Sequence, residues 1–139
     1  MIRSTLTHPE IIGALASAGH SSKVLVADAN YPHSTRSNAL GARVHLNLRR
    51  GQPSVLDVLE TLMTEIAVEA ATVMSPDSGD EPEIFFTYAQ ILSQLRIERL
   101  DRPAFYAAGE GRDVALMIVT GDETWYSNVL LTIGAIPPK

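Results

Sequence analysis

Gly19-His20-Ser21-Ser22-Lys23-Val24-Leu25-Val26-Ala27-Asp28-Ala29-Asn30-Tyr31-Pro32 contains the element from which the rest of the chain is read. Val24 to Ala27 is a continuous apolar run, too short for a helix. It predicts a strand buried on both faces of a sheet that helices cover. His20 precedes this strand and Asp28 follows it. In open α/β sheets functional groups gather beyond the carboxyl ends of strands, and Asp28 is expected there.

Outward on the amino-terminal side, Pro9 to Ala18 reads as a helix. Proline opens it, Ile11, Ile12 and Leu15 share a face, and Gly19 is placed to end it. On the other side, Tyr31 to Gly41 lacks periodicity and reads as an irregular active-site or interface loop. Val44, Leu46 and Leu48 alternate with His45 and Asn47, the pattern of a strand with one drier face. Ser54 and Asp57 form a capping-box-like start, and Val55, Leu59, Leu62, Ile66, Ala70 and Val73 keep helical spacing. One long helix is therefore expected from Ser54 to about Met74.

The turn formers of Ser75 to Pro82 interrupt the pattern, after which Ile84, Tyr88, Ile91, Leu92 and Leu95 resume a helical stripe. A short strand is expected around Ile97 to Leu100, then a helix opened by Pro103 and closed by Gly109 or Gly111. Val114 to Thr120 and Val129 to Ile133 read as strands. Strands alternating with helices predict an α/β layer architecture with a mostly parallel sheet, in one domain over residues 1–139.

Composition narrows the function. With 11 basic against 16 acidic residues and a formal charge of −5, the chain offers no basic footprint for nucleic acid or an anionic membrane. The absence of cysteine removes disulfides, thiolate nucleophiles and thiolate metal sites. No signal-peptide core and no stretch of the ~20 apolar residues that span a bilayer is present, so a soluble cytoplasmic protein is expected. The four histidines, His8, His20, His33 and His45, lack the HxxxH spacing of a helical metal site, and Gly109-Glu110-Gly111 lacks the setting of a dinucleotide fingerprint. No metal and no cofactor is expected.

Two readings attach to each remaining candidate. Asp28 is either a ligand contact or a turn cap. His20 is either a proton donor and acceptor near neutral pH or a histidine serving the last carbonyls of a helix. Gly121, Asp122, Glu123, Trp125, Tyr126 and Asn128 lie between two apolar strands. They offer hydroxyl, amide and aromatic contacts to a sugar, or else a tight turn with cross-strand aromatics. Arg102, Phe105 and Tyr106 pose the same choice between ligand contact and packing. His20 and Asp28 are eight positions apart, and at ~3.3 Å per residue an extended segment could separate them by as much as ~26 Å. Either the turn at Ser21 and Ser22 folds back, or the site is assembled across a subunit boundary.

Together these segments resemble the RbsD/FucU family of sugar mutarotases and pyranases. The likeness runs from the Pro9 helix through Gly19-His20 and Ala27-Asp28-Ala29, the helix start Gly51-Gln52-Pro53-Ser54, and Tyr126-Ser127-Asn128. It implies a three-layer RbsD-like fold and a monosaccharide mutarotase acting on L-fucose or a related sugar, or alternatively a D-ribose pyranase. It makes His20 the general acid, with Asp28, Tyr126 and Asn128 on the sugar; Asp28 could also help to move the second proton. Asp101 to Tyr106 looks more like the fucose branch, adding Arg102 and Tyr106 as contacts, whereas Thr64 to Ala71 looks more like the ribose branch. His33 stands where fucose relatives commonly show alanine. The family implies a homo-oligomer, commonly a decameric ring, with sites between neighbours. A sugar-binding protein without turnover and a structural or regulatory oligomer are the competing classes.

Overall fold

The computed structural model describes residues 1–139. Its elements are α1 (Pro9–Ser17), β1 (Lys23–Ala27), β2 (Ala42–His45), α2 (Val55–Glu65), β3 (Val68–Met74), α3 (Ile84–Ile91), β4 (Arg96–Leu100), α4 (Arg102–Gly109), β5 (Val114–Val119) and β6 (Val129–Ile133). The apolar run of β1 does what its composition requires, since Val24 to Ala27 are wholly buried inside a sheet ordered β2-β5-β1-β6-β3-β4. Pairs β1 with β5, β2 with β5 and β3 with β4 are parallel. Only β6 runs against its neighbours, β1 and β3. The mostly parallel α/β sheet expected from the sequence is present, as a mixed sheet with one reversed strand.

Helices cover both faces. α1, α2 and α3 press Ile11, Leu59, Leu62 and Tyr88 onto Val24, Val26, Leu116 and Ile118. α4 brings Phe105 to the opposite face, against Leu25, Ala27, Met117, Val119 and Leu130. The result is the expected three-layer arrangement.

Three local expectations need correction. The long helix from Ser54 to Met74 is two elements: α2 ends at Glu65 with Ile66 already extended, and Val68 to Met74 is β3. Val68, Thr72 and Val73 are β-branched, and partners on both sides, β6 and β4, satisfy the strand's backbone. Tertiary pairing thus overrides a helix-like spacing. The alternating stretch around β2 stops at His45, and Leu48 is 82% exposed. α1 ends at Ala18 in extended conformation, and the left-handed residue in the following turn is Ser21, with φ 69°, rather than Gly19. The start of α2 matches its expectation: Ser54 Oγ accepts from Asp57 N–H at 3.0 Å while the Asp57 carboxylate accepts from Ser54 N–H at 2.8 Å.

Candidate active site

Asp28 is the first residue beyond β1 and is 4% exposed. Its Oδ1 accepts from the backbone N–H groups of Asn30 and Tyr31, both at 2.8 Å, which turns the chain. Its Oδ2 accepts from Asn128 Nδ2 at 2.8 Å, and its own N–H donates to Asn128 Oδ1 at 2.8 Å. The turn-cap reading therefore holds for Asp28, and the residue also lines a recess. A carboxylate offers about four acceptor positions, and these bonds occupy three, so one remains for a ligand. Burial pushes the Asp28 carboxyl above the ordinary carboxylate value, against the pull of its hydrogen bonds, and the nearby Asp122 charge adds to the rise.

Asn128 reaches Asp28 because β5 and β6 are not neighbours: β1 lies between them. The connection from Thr120 to Asn128 must cross the carboxyl end of β1, so the tight hairpin with cross-strand aromatics is not formed. Thr120 fastens the crossing, donating from both N–H and Oγ to Ala27 O at 2.9 Å. Asp122, buried, accepts from Val55 N–H at 2.8 Å and Thr124 N–H at 2.7 Å, which makes it scaffold rather than ligand contact. Gly121 is fixed by crowding: a Cβ there would stand 2.2 Å from Arg49 O. Tyr126 adopts a positive φ of 61°, a conformation costly for a bulky residue and typical of functional sites. The buried Tyr88 hydroxyl donates to Ser127 O beneath it.

The walls come from α4. Phe105 is fully buried and packs in the core, whereas Arg102 and Tyr106 line the recess. Arg102 Nη2 is 3.5 Å from the Tyr126 hydroxyl and 3.9 Å from Asp77 Oδ2. Of the three, Phe105 takes the packing reading, while Arg102 and Tyr106 stand where a ligand in the recess would meet them. Tyr106 meets Tyr31 edge to face with ring centroids 5.4 Å apart. Asp28, Arg102, Tyr106, Tyr126 and Asn128 enclose a recess of about 190 Å³, joined by Asn30, Tyr31, Met74 and Trp125. No three His, Asp or Glu side chains converge in a way that could hold a metal ion.

The model of the RbsD / FucU transport protein family matches residues 1–136. The chain belongs to the RbsD/FucU family. D-ribose pyranase 1 of Rubrobacter xylanophilus is 31% identical over 134 residues, which cover 96% of this chain and 98% of that protein. Bacillus subtilis RbsD, solved in complex with D-ribose, has a TM-score of 0.86 at 26% identity, covering 99% of this chain and all of that one. The fucose mutarotase of Streptococcus pneumoniae, solved with L-fucose, shares the fold at a TM-score of 0.81 and 23% identity over 94% of each chain.

Among the residues that the RbsD/FucU resemblance nominated, His20 stands apart. It sits between α1 and β1, with Nε2 3.0 Å from Glu69 Oε2 on β3 and a side chain 56% exposed. It does not serve the helix carbonyls, and it does not line the recess. The whole of β1, five residues or roughly 16 Å, separates it from the Asp28 end. His33, near Asp28, donates from Nε2 to Asp28 O at 2.7 Å, and burial lowers its pKa below the usual value. Asn30, Tyr31 and Met74 were not nominated by the sequence. Tyr31 lay in the irregular loop, and Met74 was read as the end of a helix rather than the carboxyl end of a strand.

Proposed function

We propose that this protein is a cofactor-independent isomerase of monosaccharide ring forms, a mutarotase acting on L-fucose or a related sugar, with D-ribose pyranase activity as the second reading. The observation that carries it is the buried Asp28–Asn128 pair at the base of a recess walled by Arg102, Tyr106 and Tyr126. One carboxylate acceptor position, one Asn128 N–H and the two tyrosine hydroxyls face a small ligand with several hydroxyl groups. The D-ribose reading draws support from the name of the relative at 31% identity and from the RbsD complex at 26%.

Ring opening needs one proton removed and one supplied. The anomeric O–H gives up its proton, the bond between C1 and the ring oxygen breaks, and that oxygen takes a proton, leaving the open aldehyde. Rotation about the bond next to C1 followed by reclosure inverts the anomer, and attack by a different hydroxyl changes the ring size. Each proton transfer by a positioned group contributes on the order of 10²–10⁴-fold. Asp28 orients the sugar and accepts the anomeric proton, and His20 supplies the proton to the ring oxygen.

His20 cannot reach the recess of its own chain across β1, so in this reading it serves the recess of a neighbouring copy. Its exposure and its single side-chain partner, Glu69, leave it free to do so. A homo-oligomeric ring, decameric as is common in the family, working on sugar in the cytoplasm, is the assembly proposed. NMR exchange between the anomeric proton signals of L-fucose and of D-ribose tests the activity. Faster exchange with wild type that disappears in His20→Ala supports it. No acceleration of either sugar, with binding intact, leaves a sugar-binding protein without turnover.

A further inference from the structure

The recess is graded in depth. Asp28 and Asn128 at its base are 4% and 5% exposed, whereas Trp125 at its mouth is 77% exposed. Leu40, Leu48 and Phe86 are exposed as well, but Trp125 alone of the exposed large apolar side chains lines this recess, and it is the only tryptophan in the chain. It lies in the crossing segment that also supplies Asn128, beside the Tyr126 ring, with centroids 6.5 Å apart and planes inclined by 46°. Tyr126 is held in its left-handed conformation between the anchored Asp122 and Ser127, so the backbone that carries Trp125 is fixed at both ends. The indole is thus presented at the opening by a rigid support while the Asp28–Asn128 pair lies deeper.

A polar base beneath an aromatic mouth suits a ligand with two unlike faces. Ribopyranose is such a molecule, because its hydroxyls at C2, C3 and C4 all lie on one side of the ring and the other side carries only C–H bonds at these carbons. We infer that Trp125 forms an aromatic subsite that stacks on the C–H face of the sugar while Asp28, Asn128 and Arg102 take its hydroxyl face, so that the site selects pyranoses whose ring hydroxyls share one face. This deepens the second reading of the proposed function, the D-ribose pyranase, and rests on it for the identity of the ligand, because L-fucose carries its C2 hydroxyl on the face opposite those at C3 and C4. Stacking of this kind binds ground state and transition state alike, which places its effect in KM rather than kcat.

The single tryptophan makes the test direct. Emission of the wild-type oligomer is followed during titration with D-ribose and with D-xylose, its C3 epimer, which turns one hydroxyl toward the aromatic side. Anomeric exchange is then measured for wild type, Trp125→Phe and Trp125→Ala. The expected result is a saturable change in emission, at lower concentration for ribose than for xylose. Trp125→Ala raises KM for ribose about three- to tenfold with kcat kept, narrows the preference over xylose, and Trp125→Phe falls between. Unchanged emission at saturating ribose, or a ribose-to-xylose preference that survives in Trp125→Ala, overturns the subsite. Exchange without an emission change defeats this inference and spares the isomerase. An emission change without exchange does the reverse.

Discussion

Asp28 and His20 flank the same five-residue strand, yet the carboxylate of the first is buried and holds three hydrogen bonds while the second is largely exposed and has one partner, Glu69. The carboxyl end of β1 is preorganised within a single chain: its partners come from residues 30 and 31 and from residue 128, a hundred positions away. The other end is a surface. A site that needs both groups is half built in one chain and must gain its other half by association, which a symmetric oligomer supplies at every copy. The difference teaches where rigidity matters. In the proposed roles, the group that would orient the sugar is locked within one chain, and the group that would deliver a proton is left at a surface.

Breaking the locked end has the largest expected effect. Asp28→Asn replaces an acceptor by an amide whose N–H₂ faces that of Asn128, and it removes the proposed base. The anomeric exchange rate should fall on the order of 10²–10⁴-fold, measured by NMR at saturating sugar. A fall of less than threefold would mean that Asp28 only shapes the turn. Next in size is Gly121→Ala, which drives a Cβ into Arg49 O and Gln52 O and disturbs the crossing segment that carries Asn128. Overpacking of this kind costs about 1–3 kcal/mol, seen as a lower Tm, and activity should fall with it. Gly13→Ala, in the middle of α1 where nothing lies within 4 Å of the added Cβ, is the control: it should keep activity and hold or raise Tm.

The smallest effect is on pH dependence, and the two groups beside β1's carboxyl end oppose each other. His33 has its pKa lowered by burial from the ordinary 6.5, so as the medium acidifies the unfolded chain takes up this proton first. The stability it contributes is whole above 6.5 and is lost as pH falls toward its folded value. Asp28 has its pKa raised from 3.8, so its contribution is whole below 3.8 and is lost as pH rises through its folded value. Tm measured against pH should therefore fall on the acid side of 6.5 in wild type and flatten there in His33→Gln. An unchanged slope in His33→Gln would assign the acid loss to other groups.

The sequence was most informative where one element is read on its own. The buried run of β1 and the capping box at Ser54 carry their geometry locally, and Asp28 and Asn128 followed from their places at strand ends. What was illegible depends on pairing between distant segments. Nothing near Ile66 breaks a helix, with no glycine or proline at hand, and only the flanking strands β6 and β4 make Val68 to Met74 a strand. The role of Met74 was lost with that strand. The place of β6 was hidden for the same reason, because a turn of nine residues from Thr120 to Asn128 reads as a hairpin, which gives β6 its reversed direction but sets it beside β5, until β1 is found between its arms. Trp125 and Tyr106 had aromatic chemistry on display, but burial alone separates them from Phe105, and burial belongs to the fold.

Subunit complementation tests the central claim most directly. His20→Ala and Asp28→Asn chains, each inactive alone, are unfolded together, refolded as mixed oligomers and assayed by anomeric exchange. If His20 of one copy completes the Asp28 recess of the next, about a quarter of the sites in a random equal mixture pair an intact histidine with an intact aspartate, and activity returns to about that fraction of wild type. Mixed oligomers that stay as inactive as their parents would contradict the account and return His20 and Asp28 to a single chain.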